Sequence, residues 1–297
     1  MTAVTVQVKM NNLTDIGYIY SLLNSQRTHT KKSLGQNFLT NPAVAPRMAE
    51  LCGVSAKDGV LEIGCGIGVL TVELSKRAKK VVGVEVDKTL IPILDKTLSD
   101  CNNVEIVNGD IMKTDIKGFI AEKFGEPVFI CANLPYYITT PVIMRLLSSG
   151  ADITAMTFMV QREYAERLVA APSTEQYGAL TLSVGYRAET QILFDVSSGS
   201  FTPRPKVESS VVKLTLYEKP PVNVLSEELL FDVIKAAFAK RRKMLRGALS
   251  AFLPSGQLLE AFEESLVSPT ARGETLGLVE FARLSDAIYN KRRSKDG

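Results

Sequence analysis

The order of hydrophobic and polar positions along the chain is typical of alternating strands and helices. From Val60 onward, short β-branched runs alternate with segments in which apolar residues recur every three or four positions. The strand-like runs are 60–63, 80–86, 104–107, 128–131, 155–160 and 211–217. Strands and helices that alternate at this spacing predict a doubly wound, mostly parallel sheet. The predicted fold class is therefore α/β, of the Rossmann-like type.

The alternation stops at Lys219, which two prolines follow, and the pattern beyond it is helical. Ser226 is typical of a helix start. The apolar positions after it are spaced as on one helix face and are Leu230, Ile234, Ala237 and Phe238. We therefore predict an N-terminal extension over 1–29, an α/β domain over 30–218 and a smaller all-helical domain over 219–297. For the extension, the sequence leaves open an ordered segment or a flexible arm.

Composition and charge narrow this picture. The 297 residues, of which 45% are hydrophobic, supply enough apolar side chains for one large core and a smaller one. Charge is nearly balanced, with 35 Lys and Arg against 32 Asp and Glu, so composition alone does not indicate a nucleic-acid-binding protein. The net excess of +3 lies entirely in the residues after Glu218. The net positive charge therefore lies in the predicted helical domain.

Cysteine spacing and the lack of long apolar runs limit the class of protein. None of the four cysteines forms a CxxC pair or a metal-ligand spacing with the sole histidine, His29. They are Cys52, Cys65, Cys101 and Cys131. We predict reduced, mostly structural thiols and no metal site. Because we find neither a signal-peptide core nor an apolar stretch of ~18 residues, we expect a soluble cytoplasmic protein without membrane association.

Three glycines follow the first strand-like run in the order Gly-x-Gly-x-Gly, at Gly64, Gly66 and Gly68. Glycine at a strand-to-helix turn lets the backbone approach a ligand closely, because no Cβ intervenes and positive φ is accessible. A dinucleotide-binding fingerprint would need its third glycine at the position of Val69. The loop instead resembles the first motif of Rossmann-like methyltransferases, which bind S-adenosylmethionine. The alternative is a turn that only packs a helix against a strand.

Acidic residues close the next two strand-like runs. Glu85 lies where a carboxylate can accept both ribose hydroxyls, and each hydrogen bond to such a charged acceptor is worth roughly 1.5 to 3 kcal/mol. Asp110 follows the third run, where its carboxylate can accept from an adenine amine. Either acid alone is more often a solvated loop carboxylate. Together with the glycines, the two acids predict a nucleoside-binding cleft at the strand ends.

The fourth strand-like run leads into a loop that resembles the Asn-Leu-Pro-Tyr loop of amine-methylating enzymes, at Asn133, Leu134, Pro135 and Tyr136. An adenine amine is a poor nucleophile because its lone pair is delocalised into the ring. We predict that Asn133 Oδ1 and the Pro135 carbonyl each accept one N6 hydrogen and so direct the lone pair. Tyr136 is predicted to stack on the base, which is worth about 1 to 3 kcal/mol. The alternatives are an ordinary turn and a packed aromatic pair.

Several segments, in order along residues 27 to about 290, resemble the KsgA family of ribosomal RNA adenine dimethyltransferases. They are Gln36–Leu39, Gly64–Gly68, Asn133–Tyr136, Gln161–Leu168, Tyr177–Gly178, Phe201–Val207 and Phe238–Arg246. The resemblance implies dimethylation of the N6 amine of two adjacent adenosines near the 3′ end of small-subunit rRNA. It also implies S-adenosylmethionine as the cofactor and an immature small ribosomal subunit as the partner. Nothing in the pattern demands more than a monomer.

Carried over residue by residue, the resemblance implies two sets of site residues. The cofactor-binding set is Gln36, Asn37, Leu39, Gly64, Gly66, Glu85, Asp110 and Asn133. The set around the target base is Asn133, Leu134, Pro135, Tyr136 and Phe201, in which Phe201 stacks on the second face of the base. Two positions depart from the family. Cys65 stands where the family commonly has proline, and Ser197–Ser198 replace a Pro-Pro pair, which predicts a less rigid loop before Phe201.

Five cations fall close together near the end of the predicted helix, at Lys240, Arg241, Arg242, Lys243 and Arg246. One or two of them are explained by a helix dipole or a solvated face. The mutual repulsion of all five is relieved when phosphates neutralise them. We therefore expect this basic segment to contact the RNA backbone.

Three other functions share parts of this pattern. Large-subunit rRNA methyltransferases that confer macrolide resistance share both loops, but Phe201–Val207 and Phe238–Arg246 favour the small-subunit family. A DNA adenine methyltransferase would carry a target-recognition domain of the usual size, which we do not find. A non-catalytic ribosome assembly factor predicts a damaged loop or a missing cofactor acid. All four residues are present here: Asn133, Tyr136, Glu85 and Asp110.

Replacing both Arg241 and Arg242 with glutamate is predicted to weaken RNA binding by about 10-fold or more, because two phosphate-neutralising cations become two repelling anions. Cofactor affinity is expected to stay unchanged. Titrations of RNA and of cofactor at one fixed salt concentration check both expectations. An RNA affinity equal to that of the wild type would refute the assignment.

Overall fold

The six predicted strand-like runs form six of the seven strands of one sheet in the computed structural model, which describes residues 13–239 and 243–293. The strands are β1 (Phe38–Leu39), β2 (Gly59–Ile63), β3 (Lys80–Glu85), β4 (Val104–Asn108), β5 (Val128–Asn133), β6 (Ile153–Gln161), β7 (Ala188–Val196), β8 (Phe201–Thr202) and β9 (Ser209–Leu216). Each predicted run overlaps one strand of the large sheet. Strand β7 was not predicted, because its sequence mixes polar and apolar residues and its burial is only partial.

The large sheet has the strand order β4-β3-β2-β5-β6-β9-β7, and β1 pairs separately with β8. Neighbouring strands from β4 to β6 are parallel, as predicted, whereas β9 is antiparallel to β6. The α/β, mostly parallel prediction is therefore confirmed. Chain order reverses at β2, which lies between β3 and β5. In an open α/β sheet, the crevice at the carboxyl ends of the strands beside such a reversal is the usual ligand site.

Helices accompany the strands of the α/β part. They are α1 (Ile16–Ser25), α2 (Val44–Cys52), α3 (Val69–Ser75), α4 (Ile91–Thr97), α5 (Ile116–Lys123) and α6 (Thr139–Leu147). The next helix, α7 (Arg162–Leu168), begins in this part and ends in the helical part. Every residue of β2 is buried. A strand covered on both faces is expected to be apolar throughout, so the one acid within β2, Glu62, stands out.

Helix α1 decides between the two possibilities left open for the N-terminal extension, as far as the described residues reach. Asp15 accepts a hydrogen bond from the Tyr18 N–H at 2.7 Å and so caps the helix start. Leu22 and Leu23 are buried in one apolar cluster with Phe38. From residue 13 onward, the extension is thus an ordered part of the α/β core.

The chain divides into two compact units. In the described ranges, the first unit comprises 13–165 and 191–216, and the second comprises 166–190 together with the residues from 217 onward. The sequence predicts domains over 30–218 and 219–297. The boundary after residue 216 lies close to the predicted one after residue 218, but residues 166–190 group with the C-terminal helices.

The second unit is helical and has its own apolar core. Its helices are α8 (Ala179–Gly185), α9 (Glu227–Ala239), α10 (Leu245–Ala248), α11 (Ser255–Glu264) and α12 (Leu278–Arg293). Tyr177 and Leu182 are buried in the same cluster as Phe262 and Phe281. The Tyr177 hydroxyl also donates to the Leu276 carbonyl at 2.7 Å. These long-range contacts explain why 166–190 belong to this unit. Among the described residues, no helix is long and apolar enough to span a membrane.

Candidate functional site

A cavity of about 340 Å³ lies at the carboxyl ends of β2, β3 and β5. This volume falls within the ~300 to 1,000 Å³ typical of small-molecule sites. Its wall consists of residues 34–39, 62–67, 84–86, 109–112 and 133–138, together with Val69, Leu70, Leu90 and Phe201. Every residue that we predicted for the cofactor or for the target base lines this one cavity.

The glycine loop turns from β2 into α3 through three left-handed residues. The φ angles of Gly64, Gly66 and Gly68 are 77°, 60° and 91°, a region that residues with a Cβ rarely adopt. A Cβ on Gly68 would approach Leu98 and Thr97 to 3.1 Å, whereas a Cβ on Gly64 would meet nothing within 4 Å. The loop main chain beside Gly64 therefore faces open cavity space.

Glu85 is buried at the end of β3 and is held by two backbone donors. Its Oε2 accepts from the Gly66 N–H at 2.9 Å, and its Oε1 accepts from the Asp87 N–H at 2.8 Å. Burial raises the pKa of Glu85, although these two hydrogen bonds oppose the rise. The carboxylate is thus fixed in one orientation, and each oxygen keeps a lone pair for a ligand hydroxyl.

Asp110 lies after β4 and is only partly buried. Its Oδ1 accepts from the Met112 N–H at 2.9 Å, and its Oδ2 lies 3.9 Å from the Lys113 Nζ. The backbone hydrogen bond holds the carboxylate at the cavity wall. Asp110 can therefore still accept from a ligand amine.

Glu62, to which we assign no role from the sequence, also lines the cavity. Its side chain is 1% exposed, and in the described part of the chain no hydrogen-bond partner is found for its Oε2. Burial raises the pKa of Glu62 to about 8, and the charge of Glu85 adds to the rise. The signal in the sequence was an acid within an otherwise apolar strand.

Asn133 ends β5 and enters the cavity beside the glycine loop. Its Nδ2 donates to the Asn37 carbonyl at 3.4 Å, which leaves Oδ1 as an acceptor for a bound amine. The Leu134 N–H donates to the Met159 carbonyl at 3.3 Å. The Tyr136 hydroxyl lies 2.8 Å from the Ser209 Oγ. These contacts fix the loop from both sides.

The Pro135 carbonyl, which we expected to accept from the substrate, already accepts two hydrogen bonds within the protein. It accepts from the Ile138 N–H at 3.1 Å and from the Thr139 hydroxyl at 3.3 Å. Because a carbonyl has two lone pairs, both are used inside the protein. These two contacts argue against the expectation that this carbonyl accepts a substrate hydrogen. No hydrogen bond to the neighbouring Leu134 carbonyl is found within the described residues.

Residues 31–39, which we call the strap, form one side of the cavity through Gln36, Asn37 and Leu39. The Gln36 Nε2 donates to Asp87 at 2.8 Å, and its Oε1 accepts from the Lys31 N–H at 2.8 Å. Asp87 and Lys31 thus hold the two polar ends of Gln36 at the cavity wall, and each end keeps one further hydrogen-bonding position for a ligand. Leu39 lies in β1 and pairs with Phe201 in β8.

The turn before Phe201 is held by hydrogen bonds in place of the two prolines. The Ser197 Oγ accepts from the Gly199 N–H at 3.3 Å, and the Ser198 Oγ accepts from Arg204 at 3.0 Å. The Ser200 carbonyl accepts from the Thr40 N–H at 2.8 Å. Phe201 is 5% exposed. These contacts argue against the less rigid loop that the serines led us to expect.

The basic segment is described only in part. Lys240, Arg241 and Arg242 lie outside the described residues, whereas Lys243 and Arg246 are exposed near the start of α10. Within 13–239 and 243–293, no group of three or more His, Cys, Asp or Glu side chains is placed to hold a metal ion.

Comparisons with known proteins extend over both units. The family described as ribosomal RNA adenine dimethylase matches residues 27–288. The chain is 44% identical over 272 residues to ribosomal RNA small subunit methyltransferase A of Shouchella clausii, covering 90% of this chain and 92% of that protein. It is similar to the crystal structure of a dimethyladenosine transferase from Plasmodium falciparum, with a TM-score of 0.74, 27% identity and coverage of 86% of this chain and 98% of that one. For the 23S rRNA methyltransferase ErmE, the TM-score is 0.67 at 26% identity, with 85% and 100% covered.

Replacing Glu62 with glutamine is predicted to change how stability depends on pH. In the unfolded chain this carboxyl loses its proton near its ordinary pKa of 4.5, but in the folded chain only near 8. Between these values the folded state binds more protons, so the stability of the wild type falls as pH rises. The advantage of Glu62→Gln should grow over this window to the order of a few kcal/mol.

Urea unfolding at pH 5, 6.5 and 8 measures this difference. Parallel profiles for Glu62→Gln and wild type would contradict the raised pKa of Glu62.

Proposed function

Because the chain belongs to the ribosomal RNA adenine dimethylase family, we propose that it dimethylates the N6 amine of two adjacent adenosines near the 3′ end of small-subunit rRNA, with S-adenosylmethionine as methyl donor. One observation carries the proposal: Glu85, Asp110 and the Asn133 loop line a single cavity at the carboxyl ends of parallel strands. A nucleoside-binding wall and an amine-accepting loop therefore meet in one place.

The residues of the cavity fit S-adenosylmethionine. Glu85 would accept the ribose hydroxyls, and Asp110 would accept the adenine amine. The open space beside Gly64 lets the ligand approach the main chain, and the N–H of Gly66 orders Glu85 from the other side. Asn37 and Leu39 would close the pocket from the strap. When bound, the cofactor supplies the electrophilic methyl group of a sulfonium.

The Asn133 loop would hold the target amine. Asn133 Oδ1 accepts one N6 hydrogen, because the Nδ2 of the same side chain already donates to Asn37. The Leu134 carbonyl takes the place that we first assigned to Pro135. Two acceptors on one amine localise its lone pair, so catalysis is mainly orientation. The base would stack between Tyr136 and Phe201, both of which line the cavity.

The target adenosine must leave its base stack to enter this cavity, and RNA contacts outside it would help to hold the opened strand. We assign such contacts to the basic segment, of which Lys243 and Arg246 are exposed. The proposal includes an immature small ribosomal subunit as the partner, a monomeric enzyme and a cytoplasmic location.

The second candidate is dimethylation of large-subunit rRNA, which the similarity to ErmE favours. The 44% identity to a small-subunit methyltransferase over 90% of the chain favours the first candidate. A non-catalytic assembly role is disfavoured because Glu85, Asp110, Asn133 and Tyr136 are all present and line one cavity.

Labelled S-adenosylmethionine and small subunits that lack the modification provide the test. The wild type is expected to form dimethyladenosine only in small-subunit rRNA. Asn133→Ala should lower transfer by about 100-fold or more, since the amine loses one of its two acceptors. Asn24→Ala, exposed on α1, serves as the matched control and should match the wild type.

Label found only in large-subunit RNA would overturn the assignment of small-subunit rRNA as the substrate. Full activity of Asn133→Ala would overturn the role of the loop, and cofactor binding without transfer would favour the assembly factor.

A further inference from the structure

Asp87 does not line the cavity, yet it binds the parts that do. It lies two residues after Glu85 and is 3% exposed. A buried carboxylate is costly unless donors surround it. The arrangement of its donors therefore indicates what Asp87 is for.

Both oxygens of the Asp87 carboxylate reach the strap. Oδ1 accepts from the Lys31 Nζ at 2.5 Å, and Oδ2 accepts from the Gln36 Nε2 at 2.8 Å. Thr89 completes the shell, with its N–H at 3.0 Å and its hydroxyl at 2.7 Å from Oδ1. Although burial acts to raise the pKa of Asp87, these donors hold it below its ordinary value.

The main chain of Asp87 binds Glu85, which forms another part of the cavity wall. Its N–H donates to Glu85 Oε1 at 2.8 Å, opposite the Gly66 N–H on Oε2. One residue thus fixes both the strap and the acid that faces the ribose position. The strap is also anchored at its other end, where Phe38 and Leu39 pair with β8.

The strap residues between Lys31 and β1 carry the link to the catalytic loop. Gly35, Gln36 and Asn37 line the cavity, and the Asn37 carbonyl accepts from Asn133. A strap released at Gln36 would move away from the cavity and would take the Asn37 carbonyl with it. Cofactor retention should therefore depend on Asp87 more than RNA binding does.

We propose that Asp87 is a positioning residue for methyl transfer, which fixes the strap through its carboxylate and Glu85 through its N–H, and so sets cofactor affinity without touching the cofactor. This inference rests on the proposed function, because it takes the cavity ligand to be S-adenosylmethionine.

Calorimetric titration of full-length protein with S-adenosylhomocysteine tests the proposal. Asp87→Asn keeps the size of the side chain but leaves Lys31 without its anionic partner, with only the Thr89 hydroxyl as acceptor, and should raise Kd by about 10-fold. Lys31→Met should act similarly, and the double variant should be no worse than either single one. Asp58→Asn is the matched control, since Asp58 accepts from Ser55 in an exposed turn outside the cavity.

Two measurements distinguish a loss of strap positioning from a general loss of protein stability in these variants. Hydrogen exchange should accelerate at the strap amides of Leu34 and Gln36, but not at the amides of β2. In methylation assays, KM for S-adenosylmethionine should rise by about 10-fold, whereas KM for RNA should change by less than about 2-fold. Gln36→Glu, which sets a second carboxylate against Asp87, should reproduce both effects while the Lys31 and Thr89 donors to Asp87 remain.

Wild-type affinity in Asp87→Asn and Gln36→Glu would overturn the positioning role and leave the proposed function intact. Additive losses in the double variant, or equal exchange acceleration in β2, would also overturn it. If the wild type itself fails to bind S-adenosylhomocysteine, both the proposed function and this inference fall.

Discussion

The parallel register of β3, β2 and β5 is the constraint on which the rest of the structure depends. Glu62 in β2 pairs with Gly83 on one side and with Cys131 on the other. Two residues further along these three strands stand Gly64, Glu85 and Asn133. Since successive side chains alternate between faces of a sheet, equal offsets bring these groups to one edge. The hydrogen-bonding pattern of the sheet therefore places the cofactor loop, the ribose acid and the catalytic loop together.

Burial then determines how these groups are held. Buried polar atoms need partners, and at this edge the partners come from neighbouring segments. The Glu85 carboxylate binds the glycine loop and the Asp87 backbone, while Asn133 binds the strap. Each wall of the cavity is thus fixed by another wall before any ligand enters. Such preorganisation is what an orientation-based methyl transfer requires.

The sequence predicted the parts of the site that depend on local pattern. Glu85 and Asp110 could be placed because each follows a strand-like run, and Asn133 because its loop has a specific motif. The sequence did not show that the Pro135 carbonyl has two internal donors, because these donors belong to the turn that follows. The prediction placed residues 166–190 in the α/β domain, whereas in the structure they belong to the helical unit. The sequence pattern did not show this, because contacts such as Tyr177 with Leu276 join residues far apart in the chain.

In the proposed mechanism, one cavity binds a nucleoside cofactor with its methyl-bearing end beside Asn133. A crystal structure with S-adenosylhomocysteine tests it most directly. We expect the ribose hydroxyls at Glu85, the adenine amine at Asp110 and the sulfur on the side of Asn133. A ligand bound outside this cavity, or bound with its adenine toward Asn133, would contradict it.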